Sequence, residues 1–466
     1  MEKEVLLKTN EQENENKKIE TENKMGVMSI NKLLITMSLP VMISMLVQAL
    51  YNVVDSVFVA RVSEEALTAV SLAFPIQMLM IAVGTGTGVG MNAVLSKALG
   101  EKNSTKANQT ALNGIFLAMI SYVVFAIVGL LIARSFFASQ TDNQIIVNYG
   151  NDYLLICCIF SFGLFSQMIF ERLLQATGKT MYTMVTQAVG AIINIILDPI
   201  LIFGLFGFPK MEVAGAAAAT VIGQIVAGVL AIILNCKRNH EISIRFKGFK
   251  PSIALIKKIY EVGLPSIVMQ AIGSIMIYGM DLILATFSST AVAVFGVYFR
   301  LQSFVFMPVF GLNIGMVSIV AYNYGAKNKK RVIQTIKLSV VYAVSIMLLG
   351  FLVFQLFPET LLSFFSASDQ MIQIGIPALR KISFAFLFAG YCIIITSSFQ
   401  ALGNGLYSLI VSILRQLVIL LPTAYLLARF FTLDQVWWAI PIAEIMSVTA
   451  TTILLVIMNK KVIQHI

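Results

Sequence analysis

Charge is scarce in this chain. Asp, Glu, Lys and Arg make up 12% of its 466 residues, against about 25% in a soluble globular protein. With 58% hydrophobic residues and a mean hydropathy of +0.86, that shortage excludes an ordinary soluble domain. Histidine is nearly absent: His240 and His465 both fall in polar segments near the ends of apolar runs. No histidine is placed to relay protons deep in a membrane, so that work falls to carboxylates. The four cysteines, Cys157, Cys158, Cys236 and Cys392, have neither metal-ligand spacing nor a disulfide framework. Three of them lie in apolar runs, where cysteine behaves as a small hydrophobe. The opening 24 residues, MEKEVLLKTNEQENENKKIETENK, lack the basic start and apolar middle of a signal peptide. They carry too little apolar surface to fold, so a disordered cytoplasmic tail is expected over 1–29.

What the chain has in quantity is apolar runs of about 20 residues or more, the length that crosses a bilayer as a helix. A closed barrel needs strands of about ten alternating residues, and the unbroken runs exclude it. Twelve spans are expected, at 33–58, 66–95, 107–133, 150–174, 181–207, 213–235, 256–286, 292–321, 333–356, 376–400, 407–429 and 436–458. The net charge of +10 is no nucleic-acid signature, because the cations cluster in alternate connections between spans. Lys97, Lys102, Lys106, Lys179, the seven cations from Lys237 to Lys258, Lys327, Lys329, Lys330, Arg331, Lys460 and Lys461 share one side with the tail. That asymmetry puts both termini in the cytoplasm.

The chain repeats itself. GMNAVLSKALGEKN at 90–103 aligns with GMVSIVAYNYGAKN at 315–328, a shift of 225 residues. The same shift carries Leu39-Pro40 onto Leu264-Pro265, Gln77 onto Gln302, Gly86 onto Gly311, and LQATG at 174–178 onto FQALG at 399–403. The expected fold is therefore an all-α polytopic membrane protein of twelve transmembrane helices. They form two six-helix bundles, 30–236 and 256–466, joined by a basic cytoplasmic linker at 237–255. Six is even, so both halves enter from one side, related by a pseudo-twofold axis along the membrane normal. Transporters built this way bind substrate between repeats and alternate access by moving one against the other. The glycines of GTGTGVGMN at 84–92 lack the strand and helix start of a phosphate loop, and read as close helix packing.

A carboxylate near the bilayer centre costs about 2.5–3.5 kcal/mol on insertion scales and usually faces an interior cavity. Asp55, Asp198, Asp281 and Glu444 lie well inside spans, with Glu171 near the end of the fourth. Gln48, Asn52 and Asp55 share one helical face, as do Asn194 and Asp198, and Thr220 and Gln224. Gln270 and Ser274 share a face with Asp281. A carboxylate pair with amide and hydroxyl neighbours suits a proton or a small hard cation such as Na⁺. Pro199 cannot donate to the carbonyl of Ile195, which puts a hinge beside Asp198. Pro40 and Pro265 do the same early in spans one and seven. Arg172, Arg300 and Arg415 read as snorkelling or paired near span ends. Most of the 23 methionines read as lipid-facing or packed.

These stretches together resemble the multidrug and toxic compound extrusion (MATE) family, over essentially all of 30–458. The resemblance is carried by LPVMISMLVQALYNVVDSVFVARVSEEALTAVSLAFP at 39–75, FERLLQATGKT at 170–180, NIILDPILIFG at 194–204 and GAAAATVIGQ at 215–224. FERLLQATGK is similar to the bacterial branch of MepA-type exporters. The resemblance implies two six-helix bundles, a central cavity, and export of organic cations in exchange for H⁺ or Na⁺, with no other cofactor. By motif, it assigns ion coupling to Asp55, Asn194, Asp198 and Thr220. Glu171 stands where relatives often carry Asn, which adds a third carboxylate and leaves the ion open.

The expected function is thus a multidrug antiporter of the bacterial cell membrane, acting as a monomer on drug-like amphiphiles. Coupling falls to Asp55, Asn194, Asp198, Thr220 and Glu171. The substrate cavity falls to Gln48, Asn52, Gln224, Gln270, Ser274 and Asp281, with Na⁺ at Asp55 and Asp198 as the only metal considered. The alternative is a flippase for a lipid-linked glycan or other amphiphile, which shares the duplicated six-span unit but favours a cationic cavity. An intramembrane aspartyl protease needs GxGD, and Asp281 follows Gly279-Met280 instead. A passive channel is separated only by uphill accumulation.

Overall fold

The computed structural model describes residues 23–365 and 368–465. Ten helices are long and apolar enough to cross a membrane, and two pairs of shorter helices, each bent at a short break, complete twelve spans. Among the described residues there is no strand. In order, the long helices are α1 (Ile30–Ala60), α2 (Glu64–Gly100), α3 (Ser104–Ala138), α4 (Gln144–Ile159), α5 (Phe162–Ala176), α6 (Thr180–Phe203) and α7 (Glu212–Arg238). The second half has α8 (Ile253–Ala285), α9 (Ser289–Gly325), α10 (Lys329–Leu356), α11 (Asp369–Ser383), α12 (Phe386–Ala401), α13 (Gly405–Ile413), α14 (Leu421–Phe430) and α15 (Ala439–Lys461). A π-helical segment, Leu414–Leu420, joins α13 to α14 into one span. Side chains such as Leu130 and Leu131, 63% and 74% exposed, have nowhere to go but lipid.

The duplication governs local structure as well as sequence. The helices beginning at Glu64, Ser104, Gln144 and Thr180 recur 225 residues on, at Ser289, Lys329, Asp369 and Gly405. Their caps recur with them: Ser63 accepts from Ala66 N as Ser288 does from Ala291 N, and Asn103 from Lys106 N as Asn328 does from Arg331 N. Each satisfies a backbone donor that the helix itself cannot. Lys102 and Lys327 both take a positive φ, as do Gly178 and Gly403.

Spans four and ten, expected as single helices at 150–174 and 376–400, are broken. α4 meets α5 at 45° and α11 meets α12 at 47°. Neither break contains proline. At the first, Ser161 N bonds to Cys158 O and Gly163 N to Phe160 O, so i→i+3 turns replace the α pattern. Gly163 then lies against α7, where a Cβ would come within 2.8 Å of the Ile225 side chain.

Two compact units divide the chain: residues 43–267, and 1–42 with 268–466. The division therefore falls inside α1 and α8 and not in the basic segment 237–255, at points again 225 apart. Pro40 and Pro265 each lie inside those helices, two residues before the crossing. Within the first unit α2 packs on the start of α8. A Cβ on Gly86 would stand 2.7 Å from Gly263 O, and one on Gly90 2.0 Å from Ile259 O. The glycine run at 84–92 thus serves packing.

The tail expected over 1–29 lies outside the described residues up to residue 22, and its end is ordered, contrary to that expectation. Lys24–Val27 forms a helical turn with Met25 fully buried. Arg331 donates to Met25 O at 3.0 Å and Met28 O at 2.7 Å, and Asn323 Nδ2 to Met25 O at 3.0 Å. Two carbonyls that composition cannot reveal as partners hold this segment to the second unit.

Candidate functional site

In the first unit α6 buries a run of polar residues, Thr180, Thr183, Thr186, Asn194 and Asp198. α6 carries Thr183, Gln187, Asn194 and Asp198 along one stripe, since these positions fall on one side of a 3.6-residue repeat. The stripe meets α7 because both helices narrow to glycine there. A Cβ on Gly223 would stand 2.7 Å from Gly190 O, and one on Gly215 2.6 Å from Leu201 O. That approach brings Asn194 Nδ2 to 3.2 Å from Thr220 Oγ1, while the same nitrogen donates to Asp198 Oδ1 at 3.4 Å. Asp198 is fully buried and Asn194 nearly so.

From α1, Asp55 brings its carboxyl close enough to Asp198 for the two to interact electrostatically. Three oxygens of this group are buried without a hydrogen-bond partner: Asp55 Oδ1, Asn194 Oδ1 and Asp198 Oδ2. Partnerless buried acceptors are costly, and two carboxylates side by side repel unless a positive charge lies between them. One proton or one small oxygen-loving cation meets both demands. Among the described residues no three His, Cys, Asp or Glu side chains gather in one group, so any cation here would be held by two carboxylates with amide and hydroxyl help.

Glu171 is 4% exposed and has its own shell. Gln167 Nε2 and Thr186 Oγ1 donate to its Oε1 at 3.1 and 2.9 Å, and Gln187 Nε2 to its Oε2 at 2.7 Å. Both carboxylate oxygens are satisfied, unlike those of the aspartate pair. Its neighbour Arg172 turns to Gln175 Oε1 at 3.0 Å. Thr186 and Gln187 do not stand out in the sequence. The signal for Gln187 is its place seven residues before Asn194.

The remaining candidates are more scattered. Gln48 is exposed on α1, Gln224 half-buried on α7, and the side chain of Asn52 lies outside the described residues. In the second unit Gln270 and Asp281 are half-buried and Ser274 is exposed. None of the three lines a cavity of about 100 Å³ that lies in that unit between α9, α12, the π segment and α15. Arg415, expected to snorkel or pair, donates from Nη1 to Glu444 Oε1 at 2.9 Å at its edge.

Comparison with known proteins gives a consistent match. A family model described as MatE matches residues 40–200 and 265–426, once on each repeat. The chain is 29% identical over 417 residues to the multidrug export protein MepA of Staphylococcus haemolyticus, covering 89% of this chain and 91% of that one. It is 25% identical over 431 residues to the MepA of a Staphylococcus aureus strain (bovine RF122 / ET3-1), covering 92% and 94%. A solved structure described as the outward-facing conformation of a multidrug resistance MATE family transporter of the MOP superfamily superimposes with a TM-score of 0.88. It shares 27% identity over 94% of this chain and 99% of the other.

Proposed function

The chain belongs to the MatE family of multidrug transporters, and from that premise we propose that it exports amphipathic organic cations in exchange for H⁺ or Na⁺. Members are multi-pass membrane transporters and not enzymes, so the question is what drives the cycle and where. The observation that carries the coupling proposal is the aspartate pair: Asp55 and Asp198 in mutual reach, each with a buried oxygen lacking a partner. Asn194 and Thr220 complete an oxygen-rich wall around them. In this reading the ion enters between the two carboxylates and lifts the repulsion that holds them apart. Glu171, three hydrogen bonds into its own shell, is the reserve acid of the same unit.

Pro40 and Pro199 give the ion a mechanical consequence. Each lacks the N–H that a helix ordinarily uses at that turn, on the two helices that carry the aspartates. Neutralising the pair lets α1 and α6 approach, and the weakened turns absorb the change of shape. Drug and ion then occupy the protein in alternation. One charge moving down 100 mV supplies about 2.3 kcal/mol, close to a fifty-fold drug gradient, so one or two ions per cycle suffice.

The alternating lysine and arginine clusters support an orientation with both termini in the cytoplasm of a bacterial cell. The twelve spans support action as a single chain. The test is dye efflux from vesicles carrying purified protein, with a pH gradient and a Na⁺ gradient imposed separately. Uphill export under at least one of them is expected; equilibration without accumulation under both would make the protein a passive channel.

A further inference from the structure

The second unit carries a polar site of a different kind. α15 places Glu444, 8% exposed, against Arg415 of the π segment. The carboxylate spends only Oε1 on the guanidinium; Oε2 is buried without a hydrogen-bond partner. Arg415 donates one hydrogen bond, from Nη1, of the five its guanidinium can make. Both side chains line the same cavity, with Phe295, Phe299 and Phe306 on its apolar side. An ion pair taken out of water is stable only when its remaining donors and acceptors are met. Here Glu444 Oε2 is unmet, and it faces the same space as the partly exposed guanidinium of Arg415.

The backbone is shaped to make this arrangement. Pro422 opens α14 and has no N–H to give, so the preceding turns widen into the π segment Leu414–Leu420. Wide turns of this kind recur at functional sites. This one lets the consecutive residues Arg415 and Gln416 both line the cavity. Gln416 is held by donation to Ser412 Oγ at 2.9 Å. At the 225-residue shift Arg415 falls on Gly190 and Glu444 on Ala219. The ion pair of the second repeat therefore stands between its fifth and sixth spans where the first repeat carries only glycine and alanine.

The mixed charge selects the guest. A simple cation would meet the Arg415 guanidinium, and a simple anion the Glu444 carboxylate. A guest carrying both charges on neighbouring atoms satisfies both. A volume of about 100 Å³ is below an engineered cavity that admits benzene and below drug-sized pockets, so the guest carries no ring. We propose that this cavity binds a small amino-acid-like zwitterion. Its ammonium sits on Glu444 Oε2, its carboxylate on Arg415, and its short apolar side chain against Phe295, Phe299 and Phe306. The proposal adds a ligand class to the transport reading and rests on it only for the steps after binding.

The test is calorimetric titration of the full chain in nanodiscs, with no gradient, using three matched probes small enough for the cavity: L-alanine, ethylamine and propanoate. The zwitterion is expected to bind at least ten-fold more tightly than either analogue. Glu444→Gln and Arg415→Gln should each erase that preference. The double variant, whose two amides can still bond to each other, guards against a folding defect and should also show no preference. Absence of binding by all three probes, equal binding of amine and zwitterion, or an unchanged preference in the variants would overturn the proposal. Gradient-driven dye efflux on the same preparation reports on the transport reading separately.

Discussion

Asn194 and Thr220, on neighbouring helices, meet through one amide-to-hydroxyl hydrogen bond of 3.2 Å. The same amide nitrogen reaches Asp198 Oδ1 at 3.4 Å. One side chain thus ties the fifth span to the sixth and orients the carboxylate that Asp55 faces. The contact depends on Gly190 and Gly223, which let the two helices touch backbone to backbone. Packing and chemistry are one arrangement here, and each can be perturbed separately.

Gly223→Val tests the packing. Its side chain would collide with Gly190 O, and overpacking of this sort costs about 1–3 kcal/mol. A lowered melting temperature in detergent is expected, with loss of gradient-driven efflux, whereas Thr220→Ser should keep both. Native-like efflux from Gly223→Val would mean that this approach does not set the site.

Glu171→Ala tests the satisfied carboxylate. It strands the donors of Gln167, Thr186 and Gln187 in a buried shell, at about 1–3 kcal/mol for each group left unmet. Its melting temperature should fall further than that of Asp55→Asn, which removes a carboxylate whose Oδ1 has no partner. The two melting curves decide the order.

Pro40→Ala tests the hinge. Alanine restores the missing N–H, so the helix should stiffen where the chain passes from one unit to the other. Dye binding at equilibrium is expected to match the wild type within about two-fold, with efflux slowed. Equal reductions in both would point to lost folding and not to lost motion.

Arg331→Gln tests the ordered segment after the tail. Without the guanidinium donating to Met25 O and Met28 O, the stretch around residues 23–29 should become more open to limited proteolysis. Transport should change little.

The fold was legible because it is written twice. Apolar runs of bilayer length gave the spans, and a constant shift between GMNAVLSKALGEKN and GMVSIVAYNYGAKN gave the two halves. The breaks near Ser161 and Phe384 were not legible, because they arise from packing and turn geometry without a proline to mark them. The division of the chain within α1 and α8 escaped for a similar reason: a basic linker looks like a boundary, while contacts are made elsewhere. At the site, Asp55, Asn194, Asp198 and Thr220 stood out as polar residues at helical spacing. Thr186 and Gln187 did not, since their role exists only where α6 passes Glu171. The Arg415–Glu444 pair joins residues 29 positions apart, and only the π segment brings the arginine into line.

The central claim is that the coupling ion sits between Asp55 and Asp198. It is tested most directly by uphill dye efflux from proteoliposomes under whichever gradient drives the wild type, repeated with Asp55→Asn and Asp198→Asn. Each variant should reconstitute at wild-type levels and still bind dye, yet lose at least about ten-fold of its gradient-driven accumulation, about 1.4 kcal/mol or more of coupling. Accumulation by either variant at the wild-type rate would contradict the account.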